Sequence, residues 1–104
     1  PPDAIVCGSD NVAICMIKSL MELGYSVPGD IAVCGFDDAP YAALSSPGVT
    51  TVRQPFAEMA ETALERLVQR IRNPKMRVCA LHLPAELVVR GSTGLCKRRL
   101  GCRE

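Results

Sequence analysis

The side chains best placed to do chemistry are three carboxylates, Asp10, Asp37 and Asp38, each just past the carboxyl end of a short apolar run. An ionised Asp37 offers two acceptor oxygens, which suit adjacent hydroxyls or N–H groups of a small polar ligand such as a sugar or nucleoside. Ser9 adds a hydroxyl beside Asp10, and Phe36 adds an apolar or stacking wall. The competing use is local: Asp is a common turn and N-cap residue, so Asp37 and Asp38 could equally cap the turn that ends at Pro40. Catalysis asks for more than acids. Carboxylate clusters can hold magnesium for phosphoryl transfer, but no Lys or Thr stands at a strand end to complete such a site. His82 is the single histidine and has no partner at metal-ligand spacing. Gly8-Ser9-Asp10 is neither a dinucleotide fingerprint nor a phosphate loop, and Ser92 lacks a nucleophile-elbow context despite Gly91 and Gly94. No catalytic residue, metal or cofactor is assigned, and the chain is read as a binding module rather than an enzyme.

These residues need elements to hold them. Residues 3–8 (DAIVCG) read as a buried strand, and Ser9 or Asp10 is a suitable N-cap for a helix over 11–23 that Gly24 stops. A turn over 27–30 leads into a second strand at 31–35, five consecutive small or apolar residues. Short connections make this a β-α-β unit with parallel neighbouring strands. An acid delivered at the end of such a strand is how open α/β sheets line a ligand crevice. The helix is apolar over an unusually wide arc, which fits either deep burial or a second contact with a partner subunit. Further on, residues 49–52 read as a short strand, and Pro55 opens a long amphipathic helix carrying Phe56, Met59, Leu64, Leu67 and Ile71. That helix has acids near its start and arginines toward its end, and it needs a sheet face to cover. Residues 78–83 and 86–89, separated by Pro84, are two further strand candidates, and residues 95–104 read as a disordered basic tail.

Composition sets the bounds. A chain of 104 residues with a formal net charge of +1 holds one domain at most and shows no basic groove for a polyanion. Its longest apolar runs are too short to span a bilayer. No secretory leader is visible in a sequence that begins at Pro1. The six cysteines form no C-x-x-C pair; they read as small buried hydrophobes in a reducing, cytoplasmic compartment.

Several short stretches, taken in order, resemble a known family. Residues 2–6 (PDAIV), Ser9-Asp10, Leu23-Gly24 with Val27-Pro28 and Asp30, residues 33–38 (VCGFDD), residues 50–55 (TTVRQP) and residues 86–93 (ELVVRGST) together resemble the C-terminal third of the lactose/galactose-repressor (LacI/GalR) family of bacterial transcription regulators. The resemblance implies an α/β, type I periplasmic-binding-protein-like parallel sheet flanked by helices, here an incomplete fragment. It implies that 1–50 form the second half of the C-terminal effector-binding subdomain. Residues 51–77 would be a crossover and long helix on the N-terminal-subdomain side, and 78–94 the return strands. Asp37 becomes the main effector-binding carboxylate, and position 9 a second contact, where this chain has Ser and many sugar-responsive members have Asn. Phe36 and Asp10 complete the candidate ligand set. The helix at 11–23 and the segment 39–47 would form a homodimer interface through Ala13, Ile14, Ile17, Leu20, Met21, Tyr41 and Leu44. Operator DNA would be bound by an N-terminal helix-turn-helix head outside this sequence, under allosteric control by the effector. The alternative is a secreted periplasmic-type solute-binding protein of similar core fold.

Overall fold

The computed structural model describes residues 1–94. Those residues form seven elements: β1 (Ala4–Val6), α1 (Asp10–Glu22), β2 (Ala32–Cys34), α2 (Pro40–Leu44), β3 (Thr51–Arg53), α3 (Phe56–Arg72) and β4 (Glu86–Val88). They divide into two compact units. The first is Pro1–Arg53 together with the described chain from Glu86 to Gly94; the second is Gln54–Ala85.

In the first unit, β1 and β2 pair in parallel with Ile5 opposite Val33, and α1 connects them. The β-α-β reading therefore holds. Helix α1 begins where Ser9, extended at φ −155°, turns its hydroxyl to accept from the Val12 N–H at 3.3 Å. It ends in a Schellman closure, with the Tyr25 N–H donating to the Leu20 carbonyl and the Gly24 N–H to that of Met21, both at 3.0 Å. Gly24 sits at φ +87°, which is why a residue without Cβ stands there. Strand β3 pairs antiparallel with β4, Val52 opposite Leu87. The two pairs meet edge to edge: Gly35 N–H donates to the Thr50 carbonyl at 2.8 Å, and Asp37 N–H to that of Val52 at 2.9 Å.

The core lies under this sheet and contains Cys7, Ala13, Ile17, Leu20, Ile31, Val33, Ala42 and Val49. Three of these correct the sequence reading. Ala13, Ile17 and Leu20 were expected on a partner surface, but their spacing of four and three residues puts them on the α1 stripe that packs into this chain's own core. Met21, Tyr41 and Leu44 are exposed and Ile14 is half-buried.

The chain leaves the first unit after Arg53 and returns at Glu86. The cause is pairing: β3 runs on to Arg53 because Glu86 is there to meet it. Residues 78–83 form no strand, and only 86–88 pair. In the second unit, α3 has the length and phase expected, yet none of its residues is buried, and Phe56, Leu64, Leu67 and Ile71 are all more than half exposed. The expected tail at 95–104 lies outside the described residues.

The cysteines differ among themselves. Cys7 is buried and Cys34 half-buried, and burial pushes both thiols up, as the buried-hydrophobe reading expects. Cys15 and Cys79 are exposed, which that reading did not anticipate. Among the described residues every cysteine is free.

Candidate functional site

The acids after β1 and β2 do come together, because the two strands are adjacent and in parallel register. The Asp10 N–H donates to the Phe36 carbonyl at 3.0 Å, which lays the start of α1 against the turn at 36–39. What each carboxylate does there is different.

Asp10 is 1% exposed. Its Oδ1 accepts from the Thr51 hydroxyl at 2.6 Å and its Oδ2 from the Ala39 N–H at 2.7 Å. A ligand-facing role for Asp10 is therefore corrected: both oxygens are committed, and the group ties the starts of α1 and α2 to β3. The same packing explains Gly35, because a Cβ there would collide with Asp10 Oδ1 and approach Val49 Cγ1 to 3.1 Å.

Asp38 is held from two sides. Arg90 Nη2 donates to its Oδ1 at 2.6 Å and Arg53 Nε to its Oδ2 at 2.7 Å. Hydrogen bonds from the Arg90 and then the Arg53 guanidinium hold the Asp38 carboxyl below the usual carboxylate range. Arg53 also reaches Glu86 Oε2 at 3.4 Å, and Arg90 Nη1 donates to the Val49 carbonyl at 2.9 Å. Asp38 is thus a structural anion sandwiched between two cations.

Asp37 is the acid in an unusual backbone. It stands at φ +104° and Asp38 at φ +55°, two consecutive residues in a region that side chains with Cβ rarely enter. Its N–H donates to Val52, and its side chain is half-buried at the carboxyl end of β2. Phe36, next to it, is 36% exposed. Ser9 is half-buried beside this turn, but its hydroxyl also caps α1. Two acceptor oxygens, a hydroxyl and an aromatic wall at one sheet rim are suited to a neutral polyhydroxylated molecule. Among the described residues no group of three or more His, Cys, Asp or Glu is placed to hold a metal ion.

Sequence reasoning missed the residues that build the floor. Ser92 is fully buried, donating from Oγ to the Val33 carbonyl at 2.6 Å and accepting from the Thr50 N–H at 2.8 Å. Thr50 Oγ1 accepts from the Arg90 N–H at 2.9 Å and lies 2.6 Å from Thr93 Oγ1. The available signal was the run of hydroxyls within otherwise strand-like stretches at 50–51 and 92–93, since buried polar groups need partners. Away from this turn, an apolar groove of about 460 Å³ lies between α1 and the loop after α2, with Ile14, Met21 and Pro47 among its lining and Lys18 and Glu22 beside them.

Comparison with known proteins fits this geometry. Residues 1–93 match the periplasmic binding protein-like domain family. The chain is 41% identical over 90 residues to the HTH-type transcriptional regulator MalR of Streptomyces coelicolor, an overlap of 86% of this chain and 26% of that protein. It thus spans about a quarter of that regulator's length. Among solved structures, the complex of the transcriptional regulator CelR with cellobiose aligns with a TM-score of 0.81 at 34% identity, covering 88% of this chain and 28% of that one. The lac repressor dimer bound to operator and the anti-inducer ONPF aligns with a TM-score of 0.79 at 32% identity, covering 88% and 32%. With parallel strands flanked by helices, and with these relatives, the chain belongs to the LacI/GalR family of transcriptional regulators and is part of their periplasmic-binding-protein-like effector-binding region.

Proposed function

We propose that this chain is the effector-sensing and dimerising part of a cytoplasmic bacterial transcription regulator, with Asp37 as its principal ligand contact. The observation that carries the reading is the backbone of Asp37: a non-glycine residue kept at φ +104° at the end of β2, its carboxylate half-buried at the sheet rim. Strain of this kind is retained where a side chain must be aimed. The ligand class is a sugar or nucleoside-like molecule, whose vicinal hydroxyls donate to the two Asp37 oxygens while Phe36 covers an apolar ring face and Ser9 contacts a further polar group. Cellobiose in CelR supports the sugar class.

Ligand occupancy controls operator affinity by differential binding. An effector that binds one arrangement of the regulator more tightly than another shifts the population toward it, and affinity for DNA at a helix-turn-helix head changes by the same coupling free energy. The homodimer forms over the half-buried Ile14 and the exposed Met21, Tyr41 and Leu44 of α1 and α2, and the groove beside them. Two copies would cover apolar surface there that otherwise stays in water. The lac repressor's dimer supports that assembly. The secreted solute-binding alternative is not favoured, since the similar proteins are transcriptional regulators.

The test is a thermal-shift comparison on the full-length regulator carrying this chain, with cellobiose, sucrose, glucose and adenosine as probes. At least one probe should raise the melting temperature of the parent, and Asp37→Ala should abolish that rise while melting normally without ligand. A variant that keeps the full shift removes Asp37 from the site.

A further inference from the structure

The turn at 36–39 is restrained out of proportion to its size. Phe36 O, Asp37 N, Asp38 N and Ala39 N each meet a partner on α1 or on the 51–52 segment: Asp10 N, Val52 O, Thr51 Oγ1 and Asp10 Oδ2. The Asp38 carboxylate then joins it to two guanidiniums, one on β3 and one just after β4, 52 residues away in the chain. The backbone bonds set the path of the turn, and the carboxylate adds a side-chain restraint from the two arginines.

Two consecutive aspartates at positive φ pose a physical problem. Side by side, two carboxylates repel, and the backbone relieves both repulsion and steric strain by relaxing out of the left-handed region. Arg53 and Arg90 oppose that relaxation: they cancel the charge at Asp38 and fasten it to the strands on which Asp37 also leans. Arg90 is itself braced. Its other guanidinium nitrogen donates to the Val49 carbonyl and its backbone N–H to the Thr50 hydroxyl.

We infer that Arg90 and Arg53 are positioning residues for effector binding: acting through Asp38, they hold the 36–39 turn in the shape that presents Asp37. The inference rests on the reading of Asp37 as the effector contact. It goes further in assigning Asp38 no contact with the ligand. The strands stay pinned without this latch, because Ser92 bonds Val33 and Thr50 independently. Loss of the latch therefore loosens the turn and spares the sheet.

Amide hydrogen exchange on the ligand-free full-length regulator reads this directly. In Asp38→Asn, both guanidiniums lose their charged acceptor and one of them loses its acceptor oxygen; the Asp37 amide should exchange at least about tenfold faster, equivalent to 1.4 kcal/mol, while the Val33 amide, bonded to Ser92, keeps its rate. Arg90→Lys, which retains the charge but cannot hold Asp38 and Val49 together, should fall between parent and Asp38→Asn, and it serves alone if the latter does not fold. An Asp37 amide as protected as in the parent overturns the inference, and so does a Val33 amide that accelerates in step with it. The effector reading fails separately: faster exchange at Asp37 together with a sugar shift untouched by Asp37→Ala leaves the latch standing and removes the ligand from it.

Discussion

Two strand ends in this molecule begin alike and finish differently. β1 delivers Ser9-Asp10 into α1, and β2, its parallel neighbour, delivers Asp37-Asp38 into α2. At the first end the acid turns inward, both of its oxygens spent on Thr51 and Ala39. At the second, one acid is neutralised by arginines and the other is held half-buried in a strained backbone. The same residue type at equivalent positions thus becomes a strut in one place and a candidate ligand contact in the other. What decides is the neighbour supplied by distant chain: a hydroxyl and an amide at the first end, two guanidiniums at the second.

The contrast can be broken most forcefully at the strut. Asp10→Ala leaves the Thr51 hydroxyl and the Ala39 N–H without their acceptor in a buried place and should cost about 2–4 kcal/mol in urea unfolding. A cost near zero would mean that Asp10 is no strut. At the other end the sign reverses. Asp37→Gly removes the Cβ that makes φ +104° unfavourable and should stabilise the fold by up to about 1 kcal/mol while eliminating any sugar-induced thermal shift. A stability loss together with a retained shift would contradict the assignment.

The smallest effect concerns pH. The arginines lower the Asp38 carboxyl in the folded protein relative to an ordinary Asp near 3.9. The unfolded chain therefore binds a proton at Asp38 before the folded one does, so the latch's stabilisation is complete above about pH 4–5 and is lost as pH falls through the folded value. Asp38→Asn should flatten that acid limb of a stability–pH curve measured by urea melts and leave the neutral plateau with a shallow offset.

Comparing the helices shows what could be read from the residues and what could not. The bounds of α1 were legible within a residue because a Ser cap and a Gly stop are local chemistry. The clean stripe of α3 was legible too, but a stripe reports a need for apolar cover and not its presence, and in this chain none of its residues is buried. The wide arc of α1 hid which face was inward, so Ala13, Ile17 and Leu20 were misassigned to a partner. The apolar run at 78–83 looked like a strand, yet strands are made by partners, and only 86–88 found one in β3. At the site, the turn at 36–38 could be located from the abrupt change of Gly35-Phe36-Asp37-Asp38. The separate fates of the acids could not, since Thr51 lies 41 residues from Asp10 and Arg90 lies 52 from Asp38.

The most direct trial is a crystal structure of the full-length regulator soaked with whichever of cellobiose, sucrose, glucose or adenosine gives the largest thermal shift. Both Asp37 carboxylate oxygens should lie about 2.7 Å from ligand hydroxyls, with Asp10 still bonded to Thr51 and Ala39 and Asp38 still between Arg53 and Arg90. A ligand seated on Asp10 or Asp38, with Asp37 turned away from it, would contradict the account.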